Sequence, residues 1–141
     1  MNHFEIKIPA KTEEIFRVTD EIEEIMGAQE FPPGAIREIS AAVKEVLTNI
    51  VRHGYKGRPG EIGIRCTATP AKVTVEIADS APAYNPLQAP GPDTTGGIGI
   101  AFIRQAADIV TYQHKNHRNI LTLVRVKRNG EPDPASGLKK E

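Results

Sequence analysis

The chain has 141 residues, a length that suits one domain with its own core. Its 18 basic and 18 acidic residues cancel to a formal net charge of +0, which argues against a nucleic-acid binder working through phosphate attraction. A single cysteine, Cys66, excludes an internal disulfide and a CxxC zinc pattern, while 5% aromatics and no tryptophan argue against stacking platforms for single strands.

Residues 3–9, HFEIKIP, alternate, with Phe4, Ile6 and Ile8 on one side and His3, Glu5 and Lys7 on the other; this predicts a half-buried strand. The stretch KTEEIFRVTDEIEEIMGA repeats Ile15, Val18, Ile22 and Ile25 at helical spacing, with Gly27 as its expected stop. Pro32 and Pro33 open a second predicted helix that runs to about Tyr55, its core face being Ile36, Ile39, Val43, Val46, Leu47 and Ile50. After the turn-rich GYKGRPGE come two strands joined by a short TPA hairpin. Ile62, Ile64, Cys66 and Ala68 line one face of the first, and Val73, Val75 and Ile77 one face of the second.

Residues 79–97 carry four prolines and three glycines, a loop long enough inside a small domain to be functional or disordered. A third helix at roughly 98–108 and strands at about 109–115 and 119–127 complete a domain over 1–127. Residues 128–141, RNGEPDPASGLKKE, have too little apolar surface to pack and are expected to form a mobile tail. The order β-α-α-β-β-loop-α-β-β lacks the strict alternation of a parallel α/β sheet. It predicts an α+β, two-layer sandwich: a mostly antiparallel mixed sheet with helices on one face. The amino-terminal stretch is charged and shows no signal-like apolar run, and no segment approaches a membrane span, so a cytoplasmic location is expected.

Three places carry chemistry. On helix 2, Glu45, Asn49 and His53 recur at i, i+4 and i+8, a polar stripe bordering the apolar edge of Val46 and Ile50. A carboxylate there can take a proton, and an amide oxygen can hold a hard cation such as Mg²⁺; ordinary surface decoration of a helix remains the alternative. Asp79 ends a strand before a small-residue turn, where it can accept from an exocyclic amino group like that of adenine, or cap the turn Ser80-Ala81-Pro82. Gly96, Gly97 and Gly99 sit at the start of helix 3. Unpaired N–H groups attract anions there and glycines let the chain close over phosphates; a flexible hinge is the other reading. No GK[ST] follows, so this is no P-loop, and no βαβ unit surrounds it, so it is no Rossmann fingerprint.

Together, E-x-x-x-N on a helix, D-x-A-P at a strand end and G-G-x-G before a helix resemble the Bergerat-fold ATPases, the superfamily of gyrase and histidine kinases. Within that superfamily the chain is most similar to the small bacterial anti-sigma factor serine kinases. The likeness is carried by EVLTNIVRHGYKG, IADSAPAYNP, GGIGIAFIRQAADIVTY and NILTLVR, and covers about residues 4–127.

The resemblance implies an ATP- and Mg²⁺-dependent protein serine/threonine kinase. Such a kinase phosphorylates a serine on an antagonist protein, sequesters a sigma factor and forms a homodimer. It implies Glu45 as general base, Asn49 as the Mg²⁺ ligand and Asp79 as the acceptor of adenine's amino group. It further implies a phosphate-covering lid over Gly96, Gly97, Ile98, Gly99 and Ile100, and Thr122 supporting adenine through water. His53 occupies a slot where the family often has histidine. Three departures stand out. Ala81 replaces a usual glycine, adding a methyl and restricting the backbone; Asn85 stands where aspartate is common; and Ile98 fills a slot often polar or basic. Ala81 supports an alternative, a non-catalytic partner-binding module with weak or no nucleotide binding.

Overall fold

The computed structural model describes residues 2–82 and 96–128, with residues 96–100 described in backbone only. Strand β1 (Asn2–Pro9) is followed by a single 3₁₀ turn and helix α1 (Ile15–Ala28), then α2 (Pro33–Asn49). The strands β2 (Glu61–Ala68) and β3 (Lys72–Asp79), helix α3 (Gly96–Ala106), and the strands β4 (Ile109–Lys115) and β5 (Arg118–Val126) complete the order. The sheet order is β1-β2-β3-β5-β4. Every neighbouring pair is antiparallel, so the mixed character expected from sequence is absent among the described residues.

Alternation explains the two layers. Ile62, Ile64, Cys66 and Ala68 on β2, Val73, Val75 and Ile77 on β3, and Leu121 and Leu123 on β5 are all buried. They form one cluster with Ile15, Val18, Ile22, Ile25 and Met26 of α1, with Ile39, Val43, Val46 and Leu47 of α2, and with Ile103 and Ala106 of α3. The helices therefore cover one sheet face, as expected. Each fully buried aliphatic side chain contributes on the order of 1.5–3 kcal/mol by leaving water.

Four boundaries depart from the sequence reading. Gly27 lies inside α1. The left-handed position that ends that helix falls on Glu30, at φ 61°, with Glu30 N–H donating to Gly27 O and Phe31 N–H to Met26 O. This is the two-bond Schellman closure, and burial of Phe31 just beyond it fixes where the chain reverses. Helix α2 stops at Asn49, where the backbone widens into a π-turn over Ile50–Gly54, closed by Tyr55 N–H donating to Ile50 O at 2.8 Å. Helix α3 spans 96–106 rather than 98–108, because Asp108 N–H already bonds Val124 O across the sheet at 2.7 Å. The link between β4 and β5 is a two-residue turn with Asn116 at φ 56° and His117 at φ 64°, the twist-matched geometry that tight hairpins need.

Among the described residues no helix is long and apolar enough to cross a membrane. The expected tail lies outside them, except Arg128, which pairs with Asp108.

Candidate active site

The end of α2 forms one wall of a cleft. Val46, Asn49, Ile50 and Gly54 line it, and Glu45 stands beside Asn49, whose Nδ2 donates to Glu45 Oε2 at 3.3 Å. Asn49 is buried, and spending its amide nitrogen on Glu45 leaves its carbonyl oxygen as the available donor to a cation. The expected stripe of Glu45, Asn49 and His53 breaks after its second member. The π-turn alters the residues-per-turn count, so His53 is exposed and Gly54 faces the cleft instead.

The opposite wall is built where β3 ends and β5 begins. Asp79 and Asn119 face each other in the strand register. Asn119 Nδ2 donates to Asp79 Oδ1 and to Ala81 O, both at 2.9 Å, and Ala81 N–H also donates to Asp79 Oδ1 at 2.9 Å. The acceptor side of the same amide takes a hydrogen bond from the Tyr112 hydroxyl at 2.5 Å. His114 Nδ1 lies 3.0 Å from that oxygen. Asp79 is only 5% exposed, and burial pushes its carboxyl above the ordinary carboxylate range, against the opposing pull of the Asn119 and Ala81 hydrogen bonds.

Tyr55 ties the walls together. Its hydroxyl donates to Glu61 O at 2.7 Å and accepts from Ser80 N–H, the residue after Asp79, at 2.9 Å. Burial raises the Tyr55 pKa, keeping the hydroxyl neutral and able to do both. The ring lies so close to Gly60 that a Cβ there would stand 2.2 Å from it, so the turn after the π-segment has room only for glycine.

The sequence-predicted residues divide as follows. Asn49, Asp79 and Ala81 converge on one cleft, together with Pro82, Ile103, Tyr112, Asn119 and Leu121, and Glu45 adjoins it through Asn49. Thr122 is a correction. It alternates with buried Leu121 and Leu123 and sits opposite Glu76 and Thr111 on the other face of the sheet, so it does not reach the cleft. Gly96, Gly97, Ile98, Gly99 and Ile100 form the start of α3, within about two turns of cleft-lining Ile103; their side-chain positions, and Asn85, lie outside what is described. Ala81 is buried without a positive φ, so the backbone penalty expected of a glycine replacement does not arise. Its methyl lies against Gly54, where a Cβ would stand 3.1 Å away.

Sequence reasoning missed Asn119, Tyr112, Tyr55 and Gly54. Two of these carried a signal. Asn119 shares the period-2 face of Leu121 and Leu123, and a polar residue on an apolar stripe needs a partner; Tyr112 follows by alternation in the adjacent strand.

The donor set suits an adenine nucleotide with Mg²⁺. A buried acceptor faces an apolar cleft, and a lone amide oxygen with a neighbouring carboxylate is the sparse protein contribution Mg²⁺ takes when phosphates supply the rest. Among the described residues no group of three or more His, Cys, Asp or Glu forms a dedicated metal cage.

Known proteins resemble this chain in sequence and in fold. The family profile described as histidine kinase-like ATPase domain matches residues 8–125. The serine/threonine-protein kinase BtrW of Bordetella bronchiseptica is 32% identical over 94 residues, covering 60% of this chain and 66% of that protein. The serine-protein kinase RsbW of Bacillus subtilis is 26% identical over 143 aligned residues, covering 92% of this chain and 88% of that one. A crystal structure of the RsbU and RsbW domains of a Mycobacterium tuberculosis protein superposes with a TM-score of 0.67 at 18% identity, over 91% of this chain and 33% of that one, a likeness of fold. With the profile spanning most of its length, the chain belongs to the histidine kinase-like ATPase domain family.

Proposed function

We propose that the protein is an ATP-dependent protein serine/threonine kinase that phosphorylates a serine on an antagonist protein and sequesters a sigma factor, acting as a cytoplasmic homodimer. The observation that carries the kinase reading is the convergence of Asn49, with Glu45 beside it, and Asp79 on a single cleft. The related serine-protein kinases named above support it, and the family resemblance supplies the partners.

In this reading Asp79 accepts a hydrogen bond from adenine's amino group while Val46, Ile50, Ile103 and Leu121 exclude water from the base. Asn49 Oδ1 would hold Mg²⁺, which when bound neutralises phosphate charge. The backbone N–H groups of Gly96, Gly97 and Gly99 at the start of α3 donate to the phosphates, with Ile98 and Ile100 in the same lid. Glu45 takes the proton of the incoming serine hydroxyl as its oxygen bonds the γ-phosphorus and ADP departs. Glu45→Ala should slow transfer from Mg·ATP to the antagonist serine by about 10²–10⁴-fold, the usual worth of a general base, while ATP affinity holds. Undiminished transfer would remove Glu45 from the role.

Ala81 favours a second reading, a partner-binding module with little nucleotide affinity. Its ordinary backbone and its seat against Gly54 weigh against that. Calorimetric titration separates the two: no ATP or ADP binding at millimolar concentration supports the module.

A further inference from the structure

We propose that Asn119 is the positioning residue that sets base selectivity, by holding the Asp79 carboxylate so that one oxygen, ionised and unshared, meets the exocyclic amino group of adenine. The inference rests on the nucleotide reading above and concerns a residue of β5 that lies directly across from Asp79.

The argument is one of hydrogen-bond capacity. An aspartate at a strand tip can present either oxygen, or a protonated hydroxyl, to a base. Here Oδ1 is used twice, by Asn119 Nδ2 and by Ala81 N–H, each at 2.9 Å. Among the described residues no hydrogen bond ends on Oδ2, and Asp79 lines the cleft. Asn119 cannot turn its amide over to face the carboxylate with oxygen. Its nitrogen is met by acceptors only, Asp79 Oδ1 and Ala81 O, and its oxygen by the Tyr112 hydroxyl donor. Asn119 is itself 5% exposed, so water offers no easy substitute.

The consequence is chemical discrimination. An ionised, acceptor-only oxygen bonds adenine's amino group and repels the carbonyl that guanine presents at the same place. Without Asn119 the carboxyl would lose a donor that favours its charged form and could rotate or protonate. A protonated carboxyl donates to a carbonyl, so guanine would become acceptable.

The test measures affinities of the full chain for ATP, GTP and purine riboside triphosphate, which lacks the amino group, with Mg²⁺ present. The wild type should prefer ATP over both by about tenfold or more, the worth of a hydrogen bond to a charged group. In Asn119→Ala the ATP-to-GTP preference should fall by about tenfold. Tyr112→Phe removes only one hydroxyl against the Asn119 amide, and should reduce the preference by about two- to fivefold with the fold intact. A purely structural role for Asn119 would weaken all three nucleotides alike. Unchanged preference in Tyr112→Phe, or in a folded Asn119→Ala, overturns the inference while leaving the nucleotide site standing. Absence of adenine-nucleotide binding by the wild type overturns both.

Discussion

The two ends of β5 pose the same problem and solve it differently. Asn119 and Arg125 lie on the strand's core-facing side, each 5% exposed, with Leu121 and Leu123 between them. At one end Asn119 meets a carboxylate that also lines a cleft, so polar capacity is left over for a ligand. At the other, the Arg125 guanidinium bonds Glu38 of α2 and the carbonyl of Ala106 at the end of α3, both at 2.8 Å. That cluster ties two helices to the sheet and lines no described cleft. A buried polar residue is thus not by itself a site. What separates the two is whether its partners close the network or open it to a cavity.

The largest expected effect tests the closed end. Arg125→Met should lower stability by about 3 kcal/mol, because Glu38 and the last carbonyl of α3 lose their partner inside the protein. Denaturant unfolding would show it, and ATP affinity of the folded fraction should persist. Equal losses of both would erase the distinction between the ends.

Asp79→Asn tests the open end. It should weaken ATP by about 1.5–3 kcal/mol with little loss of unliganded stability. The pH dependence follows from sign. The folded pKa of Asp79 is raised, so the native state binds the proton more readily than the unfolded chain does. This group's contribution to stability therefore falls as pH rises from the ordinary carboxylate range through the raised value. ATP affinity runs the other way, dropping on acidification through that same window as the acceptor is lost. Arg118 and His114 face this carboxylate and favour its charge, whereas the carboxylate raises the neighbouring Tyr55. Calorimetry across pH would read the slope, and Asp79→Asn should flatten it.

A smaller effect is expected at the wall between α2 and the Asp79 turn. Gly54→Ala would bring a Cβ to 3.1 Å from that of Ala81. Crowding of about 1 kcal/mol is offset by alanine's comparable gain in helical propensity, so stability should hold while ATP affinity falls several-fold. Adding Ala81→Gly should restore the affinity; additive losses would show that the two positions do not share space. The smallest effect is at Cys66, buried mid-sheet, where burial pushes the thiol up to about 12. It should resist thiol reagents in the native protein and react at once in denaturant.

Much of this was legible in the sequence, and particular residues show why. The period-2 runs at Ile62–Ala68 and Val73–Ile77 and the helical spacing of Ile15 to Ile25 are local, so alternation and 3.6-residue repeats exposed them. Asn49 and Asp79 stood out only in combination, through the joint E-x-x-x-N, D-x-A-P and G-G-x-G resemblance; each alone reads equally as helix decoration or a turn cap. The stop of α1 was misplaced because Gly27 has the better propensity for a left-handed turn, yet burial of Phe31 moved the reversal to Glu30. His53 was misplaced because a π-turn changes the residue count per turn without any composition signal. Thr122 was chosen by motif likeness, and the strand's own alternation turns it to the far face.

By itself the sequence determined the α+β class, the order of elements and the apolar face of each, because these depend on neighbours within a turn or two of chain, and it offered the residue types of a candidate site through resemblance. Only the tertiary structure decided which of those residues meet. The pairing of Asp79 with Asn119 is set by the register between β3 and β5, 40 residues apart. The seat of Ala81 against Gly54 is set by how a helix end docks on a strand tip. Contacts at that separation are fixed by the packing of the whole core, and no local period encodes them.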